Sequence, residues 1–141
     1  MVNSSLDLAK YIVTKCVNEN CPISNLQLQK ILYYIQEWSL KKTGKPIFPD
    51  DIEAWQFGPV VPKVYYYFCG FGAMPISSNY GNSIILENKP EIDSIIESKR
   101  ILNPWELVAE THRPGGAWDQ IYNDGKGNRM IIPVELIREK N

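Results

Sequence analysis

The sequence holds a single histidine, His112, with Asp119 a short distance further on. A histidine and an aspartate brought together could move a proton as a general acid–base pair. Hydrolytic chemistry would also need a nucleophile, and no Gly-x-Ser-x-Gly elbow or paired cysteine supplies one. Thr111-His112 at a helix end serves equally well as a cap or as a buried hydrogen-bonding pair. The expectation is therefore a protein that is not an enzyme, with His112 and Asp119 as its sole acid–base candidates.

Metal and phosphate chemistry fare no better. Cys16, Cys21, Cys69 and His112 could in principle supply four zinc ligands, but their spacing fits no structural zinc pattern. The odd cysteine count, behind an N-terminus (Met1 to Ser5) without the features of a signal peptide, points to reduced, mostly buried thiols and a cytoplasmic location. Gly70-Phe71-Gly72 and Gly125-Lys126-Gly127 lack dinucleotide or Walker spacing and read as plain turns. No metal and no cofactor are expected.

Aromatic residues carry the richer signal. Tyr65, Tyr66 and Tyr67 are consecutive on an expected helix, where successive side chains point about 100° apart, so they cannot all face one core. Tyr33 and Tyr34 pose the same problem. Two readings stand: tyrosines at a core edge with wet hydroxyls, or a protein-binding surface of the kind tyrosine and tryptophan dominate. Trp55, Trp105 and Trp118 are expected to close the core between helices.

These residues must be positioned by a chain of 141 residues and 16.2 kDa, long enough for one domain with a real core. Its hydrophobic fraction of 44% and charged fraction of 22% are those of a globular protein. With a net charge of −1 the chain lacks the basic footprint that nucleic-acid binding requires, which argues against nucleic acid as a partner, and no apolar run approaches the roughly 18 residues that span a bilayer.

A first helix is expected from Ser4 or Ser5, where Ser4 and Asp7 have capping-box spacing, with Leu8, Ala9, Ile12, Val13, Cys16 and Val17 on one face. Ser24 and Gln27 cap a second, longer helix with an apolar stripe of Leu28, Ile31, Leu32, Ile35 and Trp38. Gln29, Lys30, Gln36, Lys41 and Lys42 face elsewhere, and Gly44 ends it. A strand follows over Ile52 to Phe57, broken by Gly58. Pro59 or Pro62 then opens a third helix. A strand at Ser83 to Leu86 and a helix after Pro90 come next. Asn103-Pro104-Trp105-Glu106 caps a helix to about His112, a short one runs over Ala117 to Tyr122, and Val134 to Lys140 is the last. Met130 to Ile132 is expected to pair with Ile52 to Phe57. The fold class is α-dominated α+β: a single compact domain over 1–141, with about six helices and two or three short strands.

Taken together, these residues resemble a known family. Leu28 to Gln36, Gly44-Lys45-Pro46-Ile47-Phe48, and then Ile52 to Tyr65 through Trp55-Gln56-Phe57-Gly58-Pro59, are similar to the opening and central signature of the Panacea antitoxin domain. This family is also described as SocA-like or as phage-associated GepA-like. Leu107, Thr111-His112 and Trp118 resemble its later element, and Ile131 to Ile137 its closing helix. The resemblance implies a bacterial antitoxin that neutralises a cognate protein toxin, encoded adjacently, by direct contact. It leaves open an adaptor that delivers its partner to a cytoplasmic protease, an uncharacterised phage or mobile-element enzyme, a nucleic-acid-associated protein, and a homodimer. The exposed-aromatic reading, not the resemblance, makes Gln56, Phe57, Val60, Tyr34, Tyr65, Tyr66 and Tyr67 the partner-binding candidates. Trp55, Gly58, Pro59, Thr111, His112 and Trp118 are motif residues with structural roles, Trp55 mainly in the core.

Overall fold

The computed structural model describes residues 4–81 and 84–140. Helix α1 (Ser5–Asn18) starts where the Ser4 hydroxyl accepts the Asp7 N–H. Helix α2 (Asn25–Thr43) carries the full reciprocal cap: the Ser24 side chain takes the Gln27 N–H, and the Gln27 side chain takes the Ser24 N–H. Each such cap contributes on the order of 1 kcal/mol by satisfying donors the helix cannot. The chain then forms β1 (Glu53–Trp55), β2 (Gly58–Val60) and α3 (Pro62–Phe68). Beyond a loop come α4 (Lys89–Lys99), α5 (Pro104–Thr111), α6 (Ala117–Tyr122) and α7 (Val134–Lys140). Asn103 and Glu106 cap α5 reciprocally, as their spacing requires.

Helix α2 is the axis of the molecule: α1, α3, α4, α5, α7 and β2 all pack on it. Leu28, Ile31, Leu32 and Ile35 are wholly buried, each worth about 1.5–3 kcal/mol of apolar burial. Surrounded on all sides, α2 also buries Gln29, Lys30 and Gln36, which sequence periodicity places on an outer face. Trp38 at the end of the stripe is only half-buried. Buried polar side chains need partners, and Gln29, Lys30 and Gln36 have them. Gln36 spans to the following loop, donating to the Phe48 carbonyl and accepting from the Ile47 N–H. Outside this core, Lys15 pairs with Glu97 and Arg100 with Glu19, tying α4 to α1 across the surface.

The sheet differs from the expected single strand. Glu53, Ala54 and Trp55 pair antiparallel with Val60, Pro59 and Gly58, so Gln56 and Phe57 form a two-residue hairpin turn. Gly58 does not break the strand but opens its return. The expected pairing with the C-terminal region is present as one bridge, Glu53 to Ile131, with Ala54 and Ile52 exchanging backbone hydrogen bonds with Met130, Arg129 and Ile132. Leading into that bridge, Gly127 packs so tightly that a Cβ would stand 1.7 Å from the Ile121 carbonyl oxygen. Of the strand expected at Ser83 to Leu86, Ser83 lies outside the described residues, and Ile84 to Leu86 form none.

Candidate functional site

The hairpin is held on both flanks by different means. On one side β1 meets the Arg129–Ile132 segment. On the other, side chains of α2 take the place of a neighbouring strand. Lys30 Nζ donates to the Pro59 carbonyl at 3.2 Å, and Gln29 Oε1 accepts the Val61 N–H at 2.9 Å. Gln29 Nε2 donates in turn to Asn25 Oδ1, and Asn25 Nδ2 to the Tyr65 carbonyl, so the same network fixes the start of α3. Pro59 is tolerated because β2 is a sheet edge and its missing N–H costs no ladder bond.

Gly58 is fixed by two constraints. Its φ of +117° lies where side chains are disfavoured, and a Cβ would stand 2.8 Å from Lys30 Nζ and 2.9 Å from Thr111 Oγ1. Lys30 is wholly enclosed, and burial pulls its pKa from the ordinary 10.5 down to about 7. It makes no ion pair among the described residues.

The remaining motif residues brace the hairpin from behind. Trp118 Nε1 donates to the Trp55 carbonyl at 2.8 Å, immediately before the turn. The indole is sandwiched between the His112 ring (3.6 Å between centroids, 8° between planes) and the Tyr122 ring (4.7 Å, 14°). Burial pushes the His112 pKa down and the nearby Lys30 adds to this, while Asp119 and a Phe57 backbone hydrogen bond oppose it. Asp119 does not orient the imidazole: its Oδ2 accepts the Gly115 N–H at 3.0 Å, and no hydrogen bond joins it to His112. Thr111 Oγ1 donates to the Val108 carbonyl.

In front of the hairpin lies a cleft of about 620 Å³, within the range of ligand-binding pockets. Trp55, Gln56, Phe57, Val60 and Tyr65 line it from the hairpin and α3, Trp105 from α5, and Arg129 from the C-terminal segment. Trp55 and Tyr65 meet edge to face at 5.0 Å, as do Phe57 and Trp105 at 5.4 Å. The Arg129 guanidinium lies 4.0 Å from the Trp55 ring centroid, and its Nη1 donates to the Tyr66 hydroxyl at 3.0 Å. Arg129 itself has φ +67°, uncommon outside glycine and costing about 1–2 kcal/mol.

Two tryptophans therefore stand away from the core in which they were expected. Strand alternation sends Ala54 inward and Trp55 to the opposite face, where it is half-buried. Trp105 is 61% exposed because it lies about 200° round α5 from the buried Leu107. Among the expected binding residues, Gln56 and Phe57 are exposed at the tip, Val60 is buried at the cleft floor, and Tyr65 forms part of its wall. Tyr66 borders it through Arg129. Tyr67 lies apart, against Phe68, Tyr80 and Lys10. Tyr34 is farther still, its hydroxyl donating to Glu110 while Lys99 sits over its ring. Of the thiols, Cys16 is buried, Cys21 intermediate and Cys69 exposed, so burial is less general than expected. Sequence reasoning missed Arg129 and Lys30. Lys30 is the sole charge between Asn25 and Gln36, which was the available signal.

A helical frame around a short hairpin, with the hairpin's aromatic face left open as a cleft, defines a small α-dominated domain. Residues 28–119 match the profile of the family described as Antitoxin SocA-like, Panacea domain, and the chain belongs to that family. It is 35% identical over 142 aligned residues to Antitoxin SocA of Caulobacter vibrioides (strain NA1000 / CB15N), covering 92% of this chain and 75% of that relative. No solved structure matches it significantly. None of the helices among the described residues is long and apolar enough to cross a membrane.

Proposed function

We propose that this chain is an antitoxin that neutralises a cognate protein toxin by direct contact, acting in the cytoplasm as one unit across its length. The carrying observation is its family membership, with close similarity to a protein named as an antitoxin. The cleft supports the same reading. Tyrosine, tryptophan and arginine, the residues richest in interface hot spots, are gathered there at an exposed surface.

Co-expression with the product of the adjacent reading frame tests this. The neighbour alone should arrest growth, this chain should relieve the arrest, and the two should co-purify. A toxic neighbour that is neither relieved nor bound would end the proposal. Partner half-life separates neutralisation by contact from delivery to a protease, since contact alone leaves the partner stable.

A further inference from the structure

We infer that the cleft beside the hairpin tip receives a partner-protein segment bearing a large apolar side chain next to a carboxylate, with Arg129 taking the carboxylate. The inference rests on the antitoxin reading and adds to it the place and the chemistry of contact.

Charge is the first argument. Among the described residues lining the cleft, Arg129 is the sole charged side chain, and none is acidic. No carboxylate of the described residues pairs with it. A purely apolar occupant would cover that guanidinium with no countercharge, which is costly, whereas a carboxylate would meet it as a charge-assisted, bidentate partner. The guanidinium is also pre-oriented. It lies over Trp55 and spends one donor on Tyr66, while a guanidinium carries five in a rigid fork.

Backbone geometry is the second argument. The Met130 N–H closes a tight turn onto the Gly127 carbonyl, with Arg129 inside it in the left-handed region where glycine would sit without strain. The Arg129 N–H is bonded to the Ala54 carbonyl, so the turn is registered against the hairpin. A strained position that keeps a long cationic side chain aimed at a cleft is a signature of function.

The apolar half of the occupant follows from Phe57 and Trp105. They are 47% and 61% exposed, and they meet each other rather than the core. A nucleic acid would also suit aromatics and an arginine, but tracking its backbone takes a row of cations, and the cleft offers one in a chain of net charge −1.

The test measures affinity of the full chain for the adjacent gene product by calorimetry, at about 50 and about 300 mM salt. Arg129→Gln should weaken binding about tenfold and flatten its salt dependence. Arg129→Glu should weaken it about a hundredfold, and Trp105→Ala at least about tenfold. Glu91→Ala on the distant α4 serves as control and should bind as wild type does. Circular dichroism and unfolding midpoints confirm that each variant is folded. An Asp or Glu to Arg exchange in the partner should rescue Arg129→Glu. If the partner binds wild type and all the cleft variants within about twofold, the cleft assignment is wrong and the antitoxin reading survives. A partner that does not bind wild type at all overturns both. If the variants instead lose affinity for a uridine 20-mer that wild type binds tightly, the cleft is a nucleic-acid site and the inference is overturned.

Discussion

Lys30 Nζ donates to the carbonyl oxygen of Pro59 across 3.2 Å, so a helix side chain occupies the place of a missing strand neighbour. The ammonium group is enclosed, and the space a side chain at Gly58 would need is the space it fills. The relationship has a cost that varies with pH.

Burial holds the Lys30 pKa near 7 in the folded protein against 10.5 when exposed. Above 10.5 the group is neutral in both states and imposes no penalty. As pH falls toward 7 the unfolded chain binds a proton that the folded chain resists, so stability is lost across that window. Wild-type unfolding free energy should therefore fall relative to Lys30→Met by on the order of 4 kcal/mol between pH 10.5 and 7. Denaturant titrations at several pH values check this, and parallel pH profiles for the two proteins would refute it.

Gly58→Ala should destabilise by about 2–5 kcal/mol, combining a strained φ with overpacking against Lys30 and Thr111. Gly70→Ala is the matched control, since nothing lies within 4 Å of its Cβ position. It should stay within about 0.5 kcal/mol of wild type. Equal midpoints for both variants would show that the close approach at Gly58 is relaxed in solution.

Two tryptophans should behave oppositely. Trp118→Phe removes the indole N–H bonded to the Trp55 carbonyl and thins the stack between His112 and Tyr122, costing about 1–3 kcal/mol. Trp105→Ala removes a mostly exposed ring and should cost under about 1 kcal/mol. Thermal unfolding of the pair decides the matter, and a larger loss at Trp105 would contradict the surface placement.

Arg129→Gly should be close to neutral for folding, within about 1 kcal/mol. Relief of the left-handed backbone offsets the lost contact with Trp55 and the added freedom of glycine in the unfolded chain. Chemical denaturation gives the number. A loss of several kcal/mol would mean that the guanidinium holds the segment in place rather than facing outward for a partner.

The helices were legible in the sequence because their signals are local. Ser24 with Gln27 and Asn103 with Glu106 each mark a terminus through bonds made within one turn, and Pro62 marks one because its missing N–H costs nothing at a first helical position. The sense of the hairpin was not, because Gly58 can either end a strand or turn it back. The contact with Lys30 that shows which has occurred lies far away in sequence. The buried Gln29, Lys30 and Gln36 were misread for a related reason: apolar periodicity assumes one dry face, and α2 has neighbours on all sides. Half of the cleft was legible, through the tip and the tyrosine run. Trp105 and Arg129 join it only by tertiary placement, and Tyr34 and Tyr67 leave it the same way.

The collar around the hairpin has a consequence for descent. Main-chain pairing, the Lys30 and Gln29 bonds and the Trp118 prop all grip residues on either side of Gln56 and Phe57, so these two side chains contribute little to the cohesion of the structure. A lineage can rewrite its tip one substitution at a time without passing through collapsed intermediates, and an allegiance can change while the frame that carries it is inherited intact.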